Sequence, residues 1–267
     1  MEKNEIKYIK FTPAGNNTAL VINDNYKNNE KKLINDYILG FDKSIEQVGF
    51  ISKNEYRLDM AGGEFCGNAT RSAIMYYLKN NEGNITINVN GKYNLNGGID
   101  KENLVYSEMP IIKDINQIKL IDKNIYLVKL DGIVFIVIED KVNLKDKELK
   151  EYSFNLLKKY KLTKYEASGV IFLDNNKIKP IVYVKDINTL FIETACGSGT
   201  AAIGIYKSFI NKKSIELDVI QPTGKIIRVK TRFNEIVDYV EIKGKVESNL
   251  KFKKIRWKKE IIWKYKM

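Results

Sequence analysis

The 267-residue sequence contains no histidine. Acid–base chemistry near neutral pH therefore cannot use an imidazole and falls to perturbed Cys, Asp, Glu, Lys or Tyr. Cysteine is nearly absent as well: Cys66 and Cys196 are the only thiols. A single disulfide between them stays open, but reactive thiols are the better reading in a chain expected to remain in the cytoplasm. No apolar run approaches the ~20 residues of a membrane span. Residues 1–10 are charged and carry no apolar signal region. The expectation is a soluble, unexported protein with no membrane partner. No low-complexity linker interrupts the chain.

Charge, by contrast, is abundant. The formal net charge is +12, while 44% of residues are hydrophobic, enough for real cores. So basic a balance raises the question of nucleic acid. Most lysines are scattered, however, and Lys, Asn, Ile and Tyr are all frequent, which reads as compositional drift. The main cluster is the tail from Lys251 to Lys266, with Trp257 and Trp263 among its lysines. A solvated amphipathic end segment accounts for it better than a nucleic-acid arm does.

The two cysteines open the same local pattern. One run reads Cys66-Gly67-Asn68-Ala69-Thr70-Arg71-Ser72-Ala73, the other Cys196-Gly197-Ser198-Gly199-Thr200-Ala201-Ala202-Ile203. The 130-residue offset then continues through Thr70 and Thr200, Tyr76 and Tyr206, Asn81 and Asn211, Ile85 and Ile215, and Val89 and Val219. A constant offset marks an internal duplication. Two equivalent thiols in two similar halves can face one another across a cleft.

Apolar periodicity places these motifs. Strands are expected at 6–11, 19–22, 47–51, 56–60 and around Ile85, Ile87 and Val89. A helix with Leu33, Ile34, Tyr37 and Ile38 on one face is expected over 29–40, and another from Gly67 to about Asn80. The second half repeats the theme. Strands are expected at 125–130, 133–138, 169–173, 180–184, 190–193, 215–220 and 226–229, and helices at 145–159 and from Gly197 to about Ile210. The chain reads as an α+β duplication: a half over 1–116 carrying Cys66, completed by the tail 250–267, and a half over 117–249 carrying Cys196. The crossing between them is expected within 113–123.

Each cysteine thus stands at a helix N-terminus. Unpaired N–H groups and the positive end of the helix dipole favour anions there. Such a site is expected to lower a thiol pKa and to hold a substrate carboxylate. A carboxylate anchored between two such ends would bring its Cα near both sulfurs. One thiolate would remove the α-proton, the opposite thiol would return a proton, and the stereocentre would invert without a cofactor or metal. Donors aimed at the carboxylate must then stabilise the carbanion.

At these residues the sequence resembles the diaminopimelate epimerase superfamily of cofactor-independent, two-cysteine racemases. The likeness runs from Thr12-Pro13-Ala14-Gly15-Asn16 to Gln221-Pro222-Thr223-Gly224. It implies two pseudo-symmetric domains, each a curved, mostly antiparallel sheet or barrel around a central helix. Cys66 and Cys196 would be the acid–base pair. Gly67, Asn68, Gly197 and Ser198 would offer backbone N–H groups to the α-carboxylate. Asn16 resembles a substrate-contacting asparagine and Glu193 the glutamate that binds the ammonium, and Gln47 would also reach the cleft.

The departures narrow the substrate. Diaminopimelate epimerases carry a Glu-Arg-Gly loop before the second cysteine, whose Arg grips a distal carboxylate. Phe191-Ile192-Glu193-Thr194-Ala195-Cys196 is too short for that loop and lacks the Arg. The Asn-Pro-His segment is replaced by Asp131-Gly132-Ile133-Val134-Phe135, and the approach to Cys66 reads Met60-Ala61-Gly62-Gly63-Glu64-Phe65. This shortened pattern is similar to that of the bacterial histidine racemases. The leading expectation is therefore a pyridoxal-independent racemase converting L-histidine to D-histidine in amino acid metabolism. Diaminopimelate or another amino acid, an isomerase of the phenazine-biosynthesis type, and a basic nucleic-acid-binding protein are the alternatives. Phe65, Phe135, Phe191 and Tyr183 are candidates for aromatic pocket walls or for core. The oligomeric state is open, with a homodimer the arrangement the resemblance suggests.

Overall fold

The computed structural model describes residues 5–22, 26–186 and 188–256. Trp257 and Trp263, and most of the basic tail, lie outside the described residues. In the first half β1 (Glu5–Pro13) and β2 (Thr18–Ile22) form a hairpin, followed by α1 (Asn28–Phe41), β3 (Gln47–Ile51) and β4 (Arg57–Met60). The helix α2 (Gly67–Leu78) then leads to β5 (Gly83–Val89), β6 (Tyr93–Ile99) and β7 (Val105–Glu108). The second half opens with β8 (Ile118–Asp122), β9 (Ile125–Leu130) and β10 (Ile133–Ile138), then α3 (Asp146–Lys159), β11 (Ala167–Asp174), β12 (Lys177–Val184) and β13 (Thr189–Ile192). It closes with α4 (Gly197–Asn211), β14 (Glu216–Ile220), β15 (Ile226–Asn234) and β16 (Ile236–Gly244). Two short strands, β17 (Val246–Glu247) and β18 (Phe252–Arg256), return to the first half.

Strand pairing repeats in the two halves. In the first, β2 runs parallel to β3, β3 antiparallel to β4, and β4 parallel to β5, which begins the meander β5–β6–β7. In the second, β10 runs parallel to β11, β11 antiparallel to β12, and β12 parallel to β14, which begins β14–β15–β16. The halves join edge to edge, with β7 antiparallel to β16. That pairing makes one continuous sheet and removes two open edges that would otherwise invite aggregation. β17 and β18 both run antiparallel to β1, at its C-terminal and N-terminal ends in turn, with Ile6 opposite Ile255.

Within the segment 113–123, Ile118–Asp122 is a strand paired with β9. The Lys245 carbonyl, between β16 and β17, accepts from the Ala14 N–H at 3.1 Å. Strands β6, β7, β8 and β16 were not expected. Their patterns are masked by Asn, Lys and Glu on the outward positions and by the two glycines of β6.

Each half wraps a helix. α2 packs against β1 to β7, and α4 against β8 to β10 and β14 to β16. Small residues allow this enclosure: Ala69 and Ala73 on α2, and Ala201 and Ala202 on α4, are fully buried. They share one core with Phe11, Leu58, Phe135, Val229 and Ile242, so the hydrophobic effect binds both halves into one body. α1 and α3 cover the outer faces. Ile34 and Ile38 of α1 pack on Phe50 and Val48, while Leu149 and Leu157 of α3 pack on Ile136 and Val170. Among the described residues no helix is long and apolar enough to cross a membrane.

The duplication is clearest at the helix ends. Cys66 caps α2 with φ −132° and ψ 109°, and Cys196 caps α4 with φ −130° and ψ 108°. Each helix ends on a left-handed lysine, Lys79 and Lys212. α4 is one turn longer, however. Asn211 ends that helix whereas Asn81 already lies beyond α2, so this sequence match does not mark equivalent places.

Candidate active site

The N-termini of α2 and α4 meet between the halves and floor a cleft that opens to solvent. Cys66, Gly67, Asn68, Cys196, Gly197 and Ser198 all line it, together with Gln47 and Glu193. The two capping motifs are built alike. The Cys66 Sγ accepts from the Ala69 N–H at 3.4 Å, and the Cys196 Sγ from the Gly199 N–H at 3.2 Å. The Thr70 and Thr200 hydroxyls each donate to the carbonyl of their cysteine at 2.8 Å. Thiol N-caps are uncommon choices for a helix start. Here they orient both sulfurs on the cleft side of the first turn. Both cysteines are free.

Contacts across the halves fix the relative position of the two helix ends. The Asn68 side-chain amide donates to the Ala195 carbonyl at 2.8 Å, directly before Cys196. Its Oδ1 accepts from Arg71 Nη2 at 2.8 Å. Arg71 is completely buried, and its Nε and Nη1 have no partner among the described residues. Burial without a carboxylate draws its pKa down to about 10, with the nearby Cys66 opposing that shift. On the far side, Gln221 accepts from the Cys196 N–H at 2.9 Å and donates to Thr200 Oγ1 at 3.0 Å.

Beside the thiols lies an acidic group. Asn16 Nδ2 donates to Glu46 Oε2 at 2.9 Å and to Glu193 Oε2 at 3.3 Å, and Gln47 Nε2 donates to Glu193 at 3.2 Å. The Thr194 hydroxyl holds the other Glu46 oxygen at 2.5 Å. Asn16 itself is fully buried behind this pair and does not line the cleft, so it positions carboxylates. Burial, reinforced by the charge of Glu46, pushes the Glu193 carboxyl up to about 8. An enclosed pair of carboxylates of this kind is a site for a cation.

The thiols are not acidic, contrary to the expectation. Burial pushes Cys66 up to about 12; the Ala69 N–H opposes this, while Glu193 and Glu64 add to it. Burial and Glu193 likewise hold Cys196 well above the ordinary thiol range, against the Gly199 N–H. The helix ends lower both values, as their position requires, but desolvation and the neighbouring carboxylates outweigh them. Both residues therefore rest as thiols, and Cys66 donates to Gln47 Oε1 at 2.6 Å.

The sequence reading missed Glu46, Glu64, Arg71 and Gln221. Glu46 adjoins Gln47 and Glu64 stands two residues before Cys66, so adjacency was the available signal. Of the aromatic candidates, Phe65 and Phe191 line the cleft. Phe135 is core beneath Gly169, and Tyr183 packs on Phe154 and donates to Asn188 Oδ1 at 3.1 Å.

The fold is shared with solved structures at low sequence identity. A hydroxyproline epimerase from Agrobacterium vitis superposes with a TM-score of 0.64 at 8% identity, covering 97% of this chain and 95% of that one. A phenazine biosynthesis PhzF family protein from Enterococcus faecalis gives 0.57 at 15% identity, covering 95% and 100%. Sequence likeness is more specific. A histidine racemase of Fusobacterium nucleatum is 35% identical over 241 residues, 82% of this chain and 87% of that protein. One from Staphylococcus aureus is 26% identical over 264 residues, covering 92% and 96%. Residues 5–250 match the family model described as the histidine racemase CntK N-terminal domain. With its paired thiol caps, shared fold and a family match spanning nearly the whole chain, the protein belongs to the histidine racemase family and is an isomerase.

Proposed function

We propose that the protein racemises an amino acid, histidine, by a two-base mechanism using Cys66 and Cys196. One observation carries this reading: two thiols cap two helices whose N-termini meet in a single cleft, beside an enclosed carboxylate pair. The zwitterionic end of an amino acid fits this arrangement group by group. Its carboxylate takes the N–H groups at the starts of α2 and α4, at Gly67, Asn68, Gly197 and Ser198, none of which has an acceptor one turn earlier in its helix. Its ammonium takes Glu193, supported by Glu46 and Gln47. The Cα then lies between the sulfurs.

Ligand binding also supplies what the empty cleft lacks. An ammonium beside Glu193 compensates the charge that raises both thiols, and so favours formation of one thiolate. That thiolate takes the α-proton; electron density moves into the carboxylate, held by the helix N–H groups. The opposite thiol donates its proton to the other face of Cα. The product has inverted configuration, and the two cysteines have exchanged protonation states. Both cysteines are buried at the foot of the cleft, which limits water at the reacting atoms and keeps a base of this strength effective.

Histidine is favoured over diaminopimelate by the cleft wall. Among the described residues its lining side chains include no Arg or Lys to receive a second carboxylate. The named relatives in Fusobacterium nucleatum and Staphylococcus aureus support the same choice. The deciding experiment incubates the protein with single L-amino acids in deuterated water and follows loss of the α-proton signal. Exchange with L-histidine, accompanied by D-histidine, is the expected result. Exchange with LL-diaminopimelate but not L-histidine overturns it.

A further inference from the structure

The cleft holds a second acidic position, separate from the Glu46–Glu193 pair. Glu64 lines the cleft on the Cys66 side, two residues before the cap. Its Oε2 atom is sealed from solvent and has no hydrogen-bond partner among the described residues. A buried, unsatisfied carboxylate oxygen is costly to a folded protein. The charges of Asp186 and Glu166 act on it. Burial with these acids raises its carboxyl, against the N–H groups of Glu64 and Gly62.

The loop that carries Glu64 is built to hold it. Asn90 Nδ2 donates to the carbonyls of Gly63 and Glu64, each at 2.8 Å, and Asn90 Oδ1 accepts from the Met60 N–H at 2.7 Å. The Phe65 ring packs edge-on against Tyr93 at 5.9 Å. Gly62 leaves the space the carboxylate occupies: a Cβ there would lie 2.5 Å from Oε2. The carboxylate is thus held in place beside the cleft, with one oxygen unpartnered among the described residues.

We propose that Glu64 is the specificity-determining residue for the side chain, its carboxylate accepting a hydrogen bond from a ring N–H of the substrate imidazole. This rests on the histidine reading above. The Glu46–Glu193 pair receives the ammonium, and Glu64 receives the second nitrogen-bearing end of the same ligand. Between them the wall is apolar, formed by Ile133, Ala167, Val182, Val184 and Phe191, and suits a flat ring. The acid also rejects a distal carboxylate by like-charge repulsion, which strengthens the exclusion of diaminopimelate.

The test compares L-histidine with β-(2-thienyl)-L-alanine, a near-isostere whose ring has no N–H, in wild type, Glu64→Gln and Glu64→Met. The kcat/KM for α-proton exchange in deuterated water is measured for each. Wild type is expected to prefer histidine strongly. In Glu64→Met that preference falls by about tenfold to a hundredfold, chiefly through KM, as expected for loss of a charged hydrogen-bond acceptor. Glu64→Gln, which keeps the shape and one oxygen, falls in between. Circular dichroism and alkylation of the cysteines verify the folded site, and Glu64→Gln decides the matter if Glu64→Met does not fold. An unchanged preference in a folded variant overturns the role of Glu64 while leaving the histidine reading standing. No exchange of L-histidine by wild type overturns the histidine reading, and this role with it.

Discussion

Gly67 and Gly197 touch where the two helices meet: a Cβ on Gly197 would lie 3.3 Å from the Gly67 Cα and 2.8 Å from Ile242 Cδ1. The first residue of each helix is therefore glycine for a steric reason. A side chain there would push apart the two N-termini that floor the cleft. Gly197→Ala is expected to cost about 1–3 kcal/mol through overpacking and to weaken substrate binding. Gly40→Ala, in α1 with nothing within 4 Å, is the matched control and should gain about 0.5–1 kcal/mol. Urea midpoints together with KM test both.

Replacing either thiol separates the two halves of the reaction. Cys66→Ser and Cys196→Ser should each lower racemisation by roughly 10²–10⁴-fold, the usual span for a positioned acid or base. Exchange of the α-proton from one enantiomer should survive in each variant, with opposite preference. Proton NMR in deuterated water, started from pure L or pure D substrate, reads both outcomes. Full racemase activity in either variant would sink the two-base scheme.

Glu193 makes stability depend on pH. Its folded-state value near 8 lies above the ordinary 4.5 because of burial and Glu46. The folded protein therefore holds the proton more tightly than the unfolded chain does. The resulting stabilisation is full below pH 4.5, declines as pH rises, and is gone above about 8. Relative to Glu193→Gln, the wild type should lose a few kcal/mol across that window. Urea melts at pH 5, 6.5 and 8.5 give the difference, and an equal slope in both proteins contradicts the assignment. Saturating substrate should reduce the slope, since the ammonium compensates the ionised carboxylate.

Arg71 is a buried cation without a buried acid. Its Nη2 holds Asn68, which in turn holds the Ala195 carbonyl before the second cysteine. Arg71→Met removes an ill-solvated charge, so stability should stay level or rise by about 1–4 kcal/mol. Activity should nonetheless fall at least about tenfold, because Asn68 loses its anchor and the helix ends lose their registration. A Tm at or above wild type with reduced kcat/KM is the expected pair of results. Wild-type kcat/KM in a folded variant would show that Asn68 needs no such support.

Much of the fold was legible because local rules wrote it. The apolar stripe with Ile34 and Ile38 gave α1 to within about a residue, and Asp131-Gly132 gave the β9–β10 turn. The Cys-Gly pairs marked the starts of α2 and α4, since a cap and its first turn depend on neighbouring residues alone. β16 escaped notice because its outward Asp238, Glu241 and Lys243 interrupt the apolar pattern, and β7 because one of its two inward positions is Ser107.

Local sequence settled where the thiols stand and which groups adjoin them in the chain, because helix capping and strand alternation act over a few residues. It could not settle their protonation. Whether a helix end or desolvation controls a thiol depends on how completely the other half of the molecule covers it, and here burial wins. Nor could it pair Glu46 with Thr194, 148 residues away, or leave the Glu64 oxygen unpartnered in the cleft. Those facts arise where two folded halves close on each other, because dielectric environment and long-range contact do not exist in the chain until it folds.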